Sequence, residues 1–474
     1  MACPMGYGRD MDSGFDAEKR EKNNDLGSVG SSDGQSTCSS AGDTHSHTHA
    51  DDAATKKLNY SAYLKLDELL QCQEPASEKY GPGLIHDEHL FIITHQAYEL
   101  WFKQILLEVD SVRKIFTEVP LEESKMLLIV NRLGRINMIL KLLFEQFQIL
   151  ETMTPHDFLE FRRFLGSSSG FQSFQFRLLE NKLGMREGNR IRYNQQHYRD
   201  VFKKDADKST AISESIEEES LHEVLGKWLE RTPGLDVKEY NFWRKYRMCV
   251  EAWLYEGFRK PAEEETDPVQ KKIKEDEYKM QKETFDTIFD EKKYNTERMR
   301  GERRLSYKAF QGAMMISCYR DQPRFNQPFQ MLKLLLDIDS SLTKWRYNHV
   351  MLVQRMIGSK LGTGGSSGYQ YLRATISDRY KVFIDLFNLS TYLIPRHLIP
   401  PLSKRMKCKL SIMEDSLSTC IHKHDTHSDD EDIDSEQGSG EKARPIVNGH
   451  STESSVLGSG KTVSGEDTGL INGK

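Results

Sequence analysis

The 474-residue sequence predicts an all-α fold, a helical bundle carrying a small inserted helical subdomain. Three observations carry that expectation. Several spans of roughly 15 to 30 residues place apolar side chains three and four apart, the period of a helix with one buried face. Almost nothing in the middle of the chain alternates at period two, as a half-buried strand would. The polar residues collect at the two ends, so a low apolar content of 37% still leaves a core-forming centre.

Taken in order, residues 1 to about 55 are Ser, Gly, Asp, Glu and Lys with few large apolar groups, and a disordered tail is expected there. His45, His47 and His49 alternate within it and make at most a weak metal site. From Lys56 the texture changes. Tyr60, Tyr63, Leu64, Leu66, Leu69 and Leu70 predict a short amphipathic helix. After a loop with Pro75 and Pro82, a long helix reaches about Phe116 with Phe91, His95, Tyr98, Phe102, Ile105 and Val109 on its buried face. Another is expected over Leu121–Leu150, and Pro155 opens a short one holding Phe158, Phe161 and Arg162. GSSSG (Gly166–Gly170) leads into the helical FQSFQFRLLENKLGM.

Residues from about 200 to 300 read as the inserted subdomain, with helices over Ala211–Glu230 and Glu239–Phe258 and a charged helix from Pro261 to Phe289. Acidic and basic residues are intermixed there, which gives a wet helix face and not a nucleic-acid site. The core resumes with LSYKAFQGAMMISCYR and is stopped by DQPRFNQP. A helix carrying His349, a Gly-Ser-Thr loop and a helix over Ser377–Leu393 follow, and Pro395 and Pro400 close the fold. The folded domain is thus expected over 56–402, with 403–474 a second disordered tail.

The formal charge of −6 gives no case for nucleic acid or membrane binding. No N-terminal apolar leader and no run of about 18 apolar residues occurs. The seven cysteines are scattered with no CxxC pair, arguing against a disulfide framework or structural zinc. A soluble intracellular protein is expected.

Two histidines lie on apolar helix faces. Leu342, Trp345, His349, Leu352, Val353 and Met356 share one face, and His95 sits among aromatics. Each imidazole could be a core group bonded internally. His349 could equally be the single axial ligand of a large flat cofactor whose iron needs one neutral imidazole. Arg162 among phenylalanines could snorkel, or could grip a carboxylate with two parallel bonds. LGTGGSSG is neither a phosphate loop nor a dinucleotide fingerprint: no Lys follows in register, and a helix precedes it.

Three segments together are distinctive: IHDEHLFIITHQAYELWF (Ile85–Phe102), the stretch Phe161–Glu180 with SGFQSFQFRLLE, and KWRYNHVMLVQRMIGSKLGTGGSSGYQY (Lys344–Tyr371). They resemble the tryptophan 2,3-dioxygenase family, from about Asn59 to Pro400. The resemblance implies a cytosolic all-α enzyme using haem b with ferrous iron, a homotetramer built as a dimer of dimers. It implies cleavage of the indole C2–C3 bond of L-tryptophan by O2, giving N-formyl-L-kynurenine, the first step of the kynurenine pathway. His349 matches the proximal ligand, with Trp345 one turn away to shape that side. His95 matches the distal histidine facing the indole nitrogen, Arg162 the carboxylate partner, and Thr363 a group near the ammonium. Phe91, Phe158 and Leu165 match pocket walls, and Ser169 a serine near the haem. Tyr60 and Tyr63 match tyrosines that reach a neighbouring subunit's pocket. GSSSG departs from the family's more familiar loop, which has proline and alanine there, but keeps Ser169 and Gly170. The alternative is a haem-binding sensor or carrier, for which one His on an apolar face suffices and Arg162 and Thr363 serve no purpose.

Overall fold

The structure, a computed structural model, describes residues 59–118, 121–122, 124–192, 197–238, 240–360, 362 and 368–411. The expectations for residues 1–55, for Thr363 and for the chain beyond 411 lie outside these. The described residues are mostly helical, with no strand among them, as the periodicity predicts. They fall into two compact units divided between Cys72 and Gln73.

In the first unit, α1 (Tyr60–Leu64) is capped by the Asn59 side chain, which accepts the Ala62 N–H at 2.8 Å. The single helix expected here is broken at Lys65, left-handed at φ 55°, and α2 (Leu66–Leu69) follows. Neither helix buries a residue.

The second unit opens with α3 (Ala76–Tyr80) and α4 (His86–Thr117). Buried Glu88 accepts the Ala76 and Ser77 N–H groups, both at 2.9 Å, so α4 itself caps α3. Next come α5 (Ser124–Glu145), α6 (Phe147–Leu150), α7 (Pro155–Arg162) and α8 (Phe174–Leu183). The expected helix to Leu150 breaks at Gln146, whose amide turns to the Thr94 carbonyl at 3.1 Å. α9 (Ala206–Glu217) and α10 (Leu221–Leu229) replace the single helix expected over 211–230, because Ser220 forms a capping box with Glu223 and restarts the chain. Beyond them lie α11 (Phe242–Leu254), continued by a π-helical turn over Tyr255–Arg259 into α12 (Lys260–Glu263), then α13 (Pro268–Phe289), α14 (Glu291–Arg300) and α15 (Tyr307–Cys318).

α16 (Pro323–Ile357) is the spine. It is 35 residues long and lies along α5, which also packs on α4; α4 in turn packs on α8. Leu133, Ile136 and Leu140 of α5 meet Leu335, Ile338 and Leu342 of α16, all nearly or fully inaccessible. Burying each such side chain contributes about 1.5–3 kcal/mol. The expected stop at DQPRFNQP is instead the start of this helix. Pro323 occupies the first turn, where no N–H is needed, and Pro328 forfeits one ladder bond while packing in the core.

α17 (Gly368–Ala374) and α18 (Ile384–Asn388) complete the bundle. The continuous helix expected over 377–393 does not form. Asp339, 1% exposed on α16, accepts the Val382 N–H at 3.0 Å and the Phe383 N–H as well, drawing both donors out of any helical ladder. Folded chain also continues past the expected boundary at Leu402. α19 (Lys404–Lys409) buries Met406, Leu410 is fully buried, and the Arg324 N–H donates to the Leu410 carbonyl at 3.3 Å. Cys408 is disulfide-bonded, where the scattered cysteines gave no reason to expect a bridge.

Gly312 shows how closely α15 and α10 approach. A Cβ there would stand 2.2 Å from the Leu229 carbonyl oxygen and 2.7 Å from Thr232 Oγ1. The first contact is backbone and has no rotamer by which to yield. Gly312→Ala should therefore cost about 1–3 kcal/mol, seen as a lower thermal midpoint. An unchanged midpoint would mean the two helices separate freely.

Candidate active site

A cavity of about 320 Å³ lies within the second unit, walled by α4, α7, α8, α16 and α17. Phe147, Leu150, Met153, Leu352 and Met356 make one side of it apolar. His95 and His349 both line it, brought from α4 and α16 by the helix faces read above. Tyr98 one turn from His95, and Arg346 and Leu352 one turn from His349, are buried, and both imidazoles line the void.

Burial holds His349 down to about 4, and the facing His95 adds to that. The ring is therefore neutral at pH 7. It stacks on Phe147 with centroids 6.2 Å apart and lies 5.4 Å from Trp345, but has no hydrogen-bond partner among the described residues. Among the described residues no internal hydrogen bond accounts for this imidazole. His95 is also lowered by burial, against the opposing pull of its hydrogen bond to the Phe91 carbonyl and of Glu99. That bond joins Nδ1 to the carbonyl at 2.7 Å. A carbonyl can only accept, so the proton sits on Nδ1 and leaves Nε2 as a bare acceptor. Glu99 is held by Ser173 Oγ at 2.6 Å and Gln175 Nε2 at 3.0 Å.

Arg162 ends α7 and lines the cavity beside Phe91, Phe158 and Leu165. Its helix starts on a Thr154–Asp157 capping box, which fixes the direction in which the last turn presents the guanidinium. Phe91 lies 5.9 Å from Phe158 and 4.0 Å from His95, ring to ring. Ser169 also borders the cavity, its hydroxyl accepting the Phe171 N–H at 3.3 Å to cap a 3-10 turn. Trp345 lies in the same wall, and its indole N–H is buried with no acceptor. Thr363 lies outside the described residues. Tyr60 and Tyr63 belong to the first unit, 75% and 70% exposed on α1.

One feature of the wall was not anticipated. Glu180 of α8 is 4% exposed and receives Arg177 at 3.0 Å, Arg346 at 3.1 Å and Arg190 more closely still. Burial alone would raise this carboxyl, but Arg190, Arg177 and Arg346 together hold it down to about 2. The signal in the sequence was charge inside apolar runs: Arg and Glu in FQFRLLE, and Arg in KWRYNH.

These residues fit a haem. Among the described residues no three His, Cys, Asp or Glu side chains converge on a metal position. A lone neutral imidazole is then a ligand only if a macrocycle supplies the remaining donors. The void beside it is lined by Phe147, Phe171, Phe176 and Trp345, the apolar aromatic surround such a macrocycle requires.

The chain was compared with known proteins. The family model described as tryptophan 2,3-dioxygenase matches residues 44–393. The tryptophan 2,3-dioxygenase of Anopheles gambiae is 55% identical over 359 residues, covering 74% of this chain and 90% of that protein. That of Xenopus laevis is 56% identical over 347 residues, covering 73% of this chain and 84% of its own.

Removing the shared carboxylate tests the electrostatics of the wall. Glu180→Gln leaves three guanidiniums buried without it and should cost about 3–5 kcal/mol at pH 7. Because the folded carboxyl titrates below its usual value, its contribution is complete above pH ~4.5 and is lost as the pH falls toward ~2. Urea unfolding of both proteins should show the gap narrowing between pH 7 and pH ~3. A gap of constant size would locate the loss in packing.

Proposed function

The chain belongs to the tryptophan 2,3-dioxygenase family, and from that premise we propose that it opens the indole ring of L-tryptophan with O2, giving N-formyl-L-kynurenine on a haem b held by His349. The observation that carries this reading is the pair of neutral imidazoles facing one cavity, one with no hydrogen-bond partner among the described residues and one with a fixed tautomer. Ferrous haem supplies the activation of ground-state O2, which by spin reacts slowly with a closed-shell indole.

The protein's part is to bind and orient. Arg162 receives the substrate carboxylate through parallel bonds, and Thr363 is assigned to the ammonium. Phe91, Phe158 and Leu165 hold the indole and keep water from it. The ring N–H donates to His95 Nε2, which is free because Nδ1 is bonded to Phe91. An indole N–H is a very weak acid, so His95 orients the ring and is not an obligatory base. His349 would hold the iron, and His95 and Arg162 would face the part of the cavity left for O2 and substrate. A sensor or carrier would have no use for an arginine at the mouth of this cavity.

The same reading assigns the protein to the cytoplasm and to a homotetramer, a dimer of dimers in which Tyr60 and Tyr63 reach a neighbouring pocket. No helix among the described residues is long and apolar enough to cross a membrane. Ile93, Leu100 and Leu107 stand exposed at seven-residue intervals along α4, a row suited to another helix. Light scattering should give four chains per particle.

The decisive experiment reduces the haem-loaded protein anaerobically, adds L-tryptophan and then O2, and follows the haem spectrum together with formylkynurenine absorbance. Formylkynurenine should carry two labelled atoms from 18O2; one or none would refute dioxygenation. His349→Ala should lose the Soret band. His95→Ala should keep it, with kcat lower by roughly 10- to 100-fold, the loss of one orienting bond. Arg162→Gln should raise KM for L-tryptophan by a similar factor and leave that for tryptamine, which lacks the carboxylate, nearly unchanged.

A further inference from the structure

The Glu180 knot does not balance. Three guanidiniums surround one carboxylate, so the group holds two positive charges in excess. Arg177, Glu180 and Arg346 are each less than 10% exposed, with relative accessibilities of 6%, 4% and 5%. Excess charge at that depth is costly unless an anion answers it. Asp339, which feels Arg346, is committed to the Val382 and Phe383 N–H groups, and Glu99, which also lines the cavity, to Ser173 and Gln175. The Tyr371 hydroxyl bonds Arg177 but is a neutral phenol. Arg177 Nε and Arg190 Nε have no partner among the described residues.

The excess is directed. Arg177, Arg346, Glu180 and Tyr371 all line the cavity, whereas Arg190 stands behind Glu180 and does not. Arg346 is three residues before His349 on α16, so one rigid helix presents both the iron ligand and a guanidinium about one turn away. We propose that Arg346 and Arg177, held in place by Glu180 and Arg190, are the anchor for the propionate edge of the haem. The two propionates match the excess of two positive charges, and a guanidinium fork pairs with a carboxylate through parallel bonds. The anchor fixes the rotation of the macrocycle about the His349 axis. It rests on the reading of the cavity as a haem site and adds which edge of the haem lies toward α8.

The test separates the two. Apoprotein is loaded with haem b or with its dimethyl ester, whose side chains are neutral, and release to excess apomyoglobin is followed in the Soret band. The wild-type protein should release the ester roughly 10- to 100-fold faster than haem b, or fail to load it. In Arg346→Gln and Arg177→Gln that ratio should shrink by roughly tenfold, because haem b has lost its charged partner there, while Arg346→Lys retains most of it. Circular dichroism of the apoproteins establishes folding, and if one glutamine variant does not fold, the other and Arg346→Lys decide. Equal release of both haems from the wild type, or an unchanged ratio in the glutamine variants, overturns the anchor and leaves the haem site standing. A wild-type protein that loads neither haem refutes the site itself, and the anchor with it.

Discussion

An imidazole kept neutral by desolvation, with no hydrogen-bond partner among the described residues, is the constraint around which this molecule is arranged. Charging His349 would place a cation among Phe147, Trp345 and Leu352, and the apolar wall holds it well below its usual value. Keeping that group in register needs a rigid support, and α16 supplies it by running without interruption past Pro328 and along α5. The same helix carries Asp339 and Arg346, so the bundle's longest element also sets the turn after α17 and the charge at the cavity wall.

Electrostatics on the two sides of the cavity are handled differently. The imidazoles are neutralised by burial, whereas the Glu180 knot keeps its charges by pairing them at close range. Low dielectric makes both outcomes steep: an unpaired group gives up its charge, and a well-paired one holds it more firmly. His95 belongs to the first class, with a further restriction. Its Nδ1 bond to Phe91 is made within one turn of α4 and depends on no neighbouring element.

Most of the bundle was legible in the sequence because three-and-four spacing is a local property. The faces of α4 and α16 are those the pattern indicated, down to the half-buried positions Phe91, Trp345, His349 and Val353, and His95, that line the cavity. The errors arose where a distant partner took over local hydrogen bonds. Asp339 removes Val382 and Phe383 from a helix that periodicity alone would continue. Pro328 misled because a proline in a helix is costly on average, while here one missing bond is offset by packing. Of the site, His349, His95 and Arg162 could be singled out by residue type on an apolar face. The assembly of Arg177, Arg190 and Arg346 about Glu180 could not, since two of its members are separated by 166 positions along the chain.

Two attachments of the chain to α16 have a wider meaning. The stretch after Ile357 leaves the helix's own end, and it is caught again at Val382 by a carboxylate about five turns nearer the start of that helix. Between them Gly362, Gly368, Tyr371, Leu372, Thr375 and Tyr380 line the cavity, yet both moorings sit on one rigid rod. Substitutions at those lining positions would therefore reshape the cavity while the rod that carries His349 stays in place.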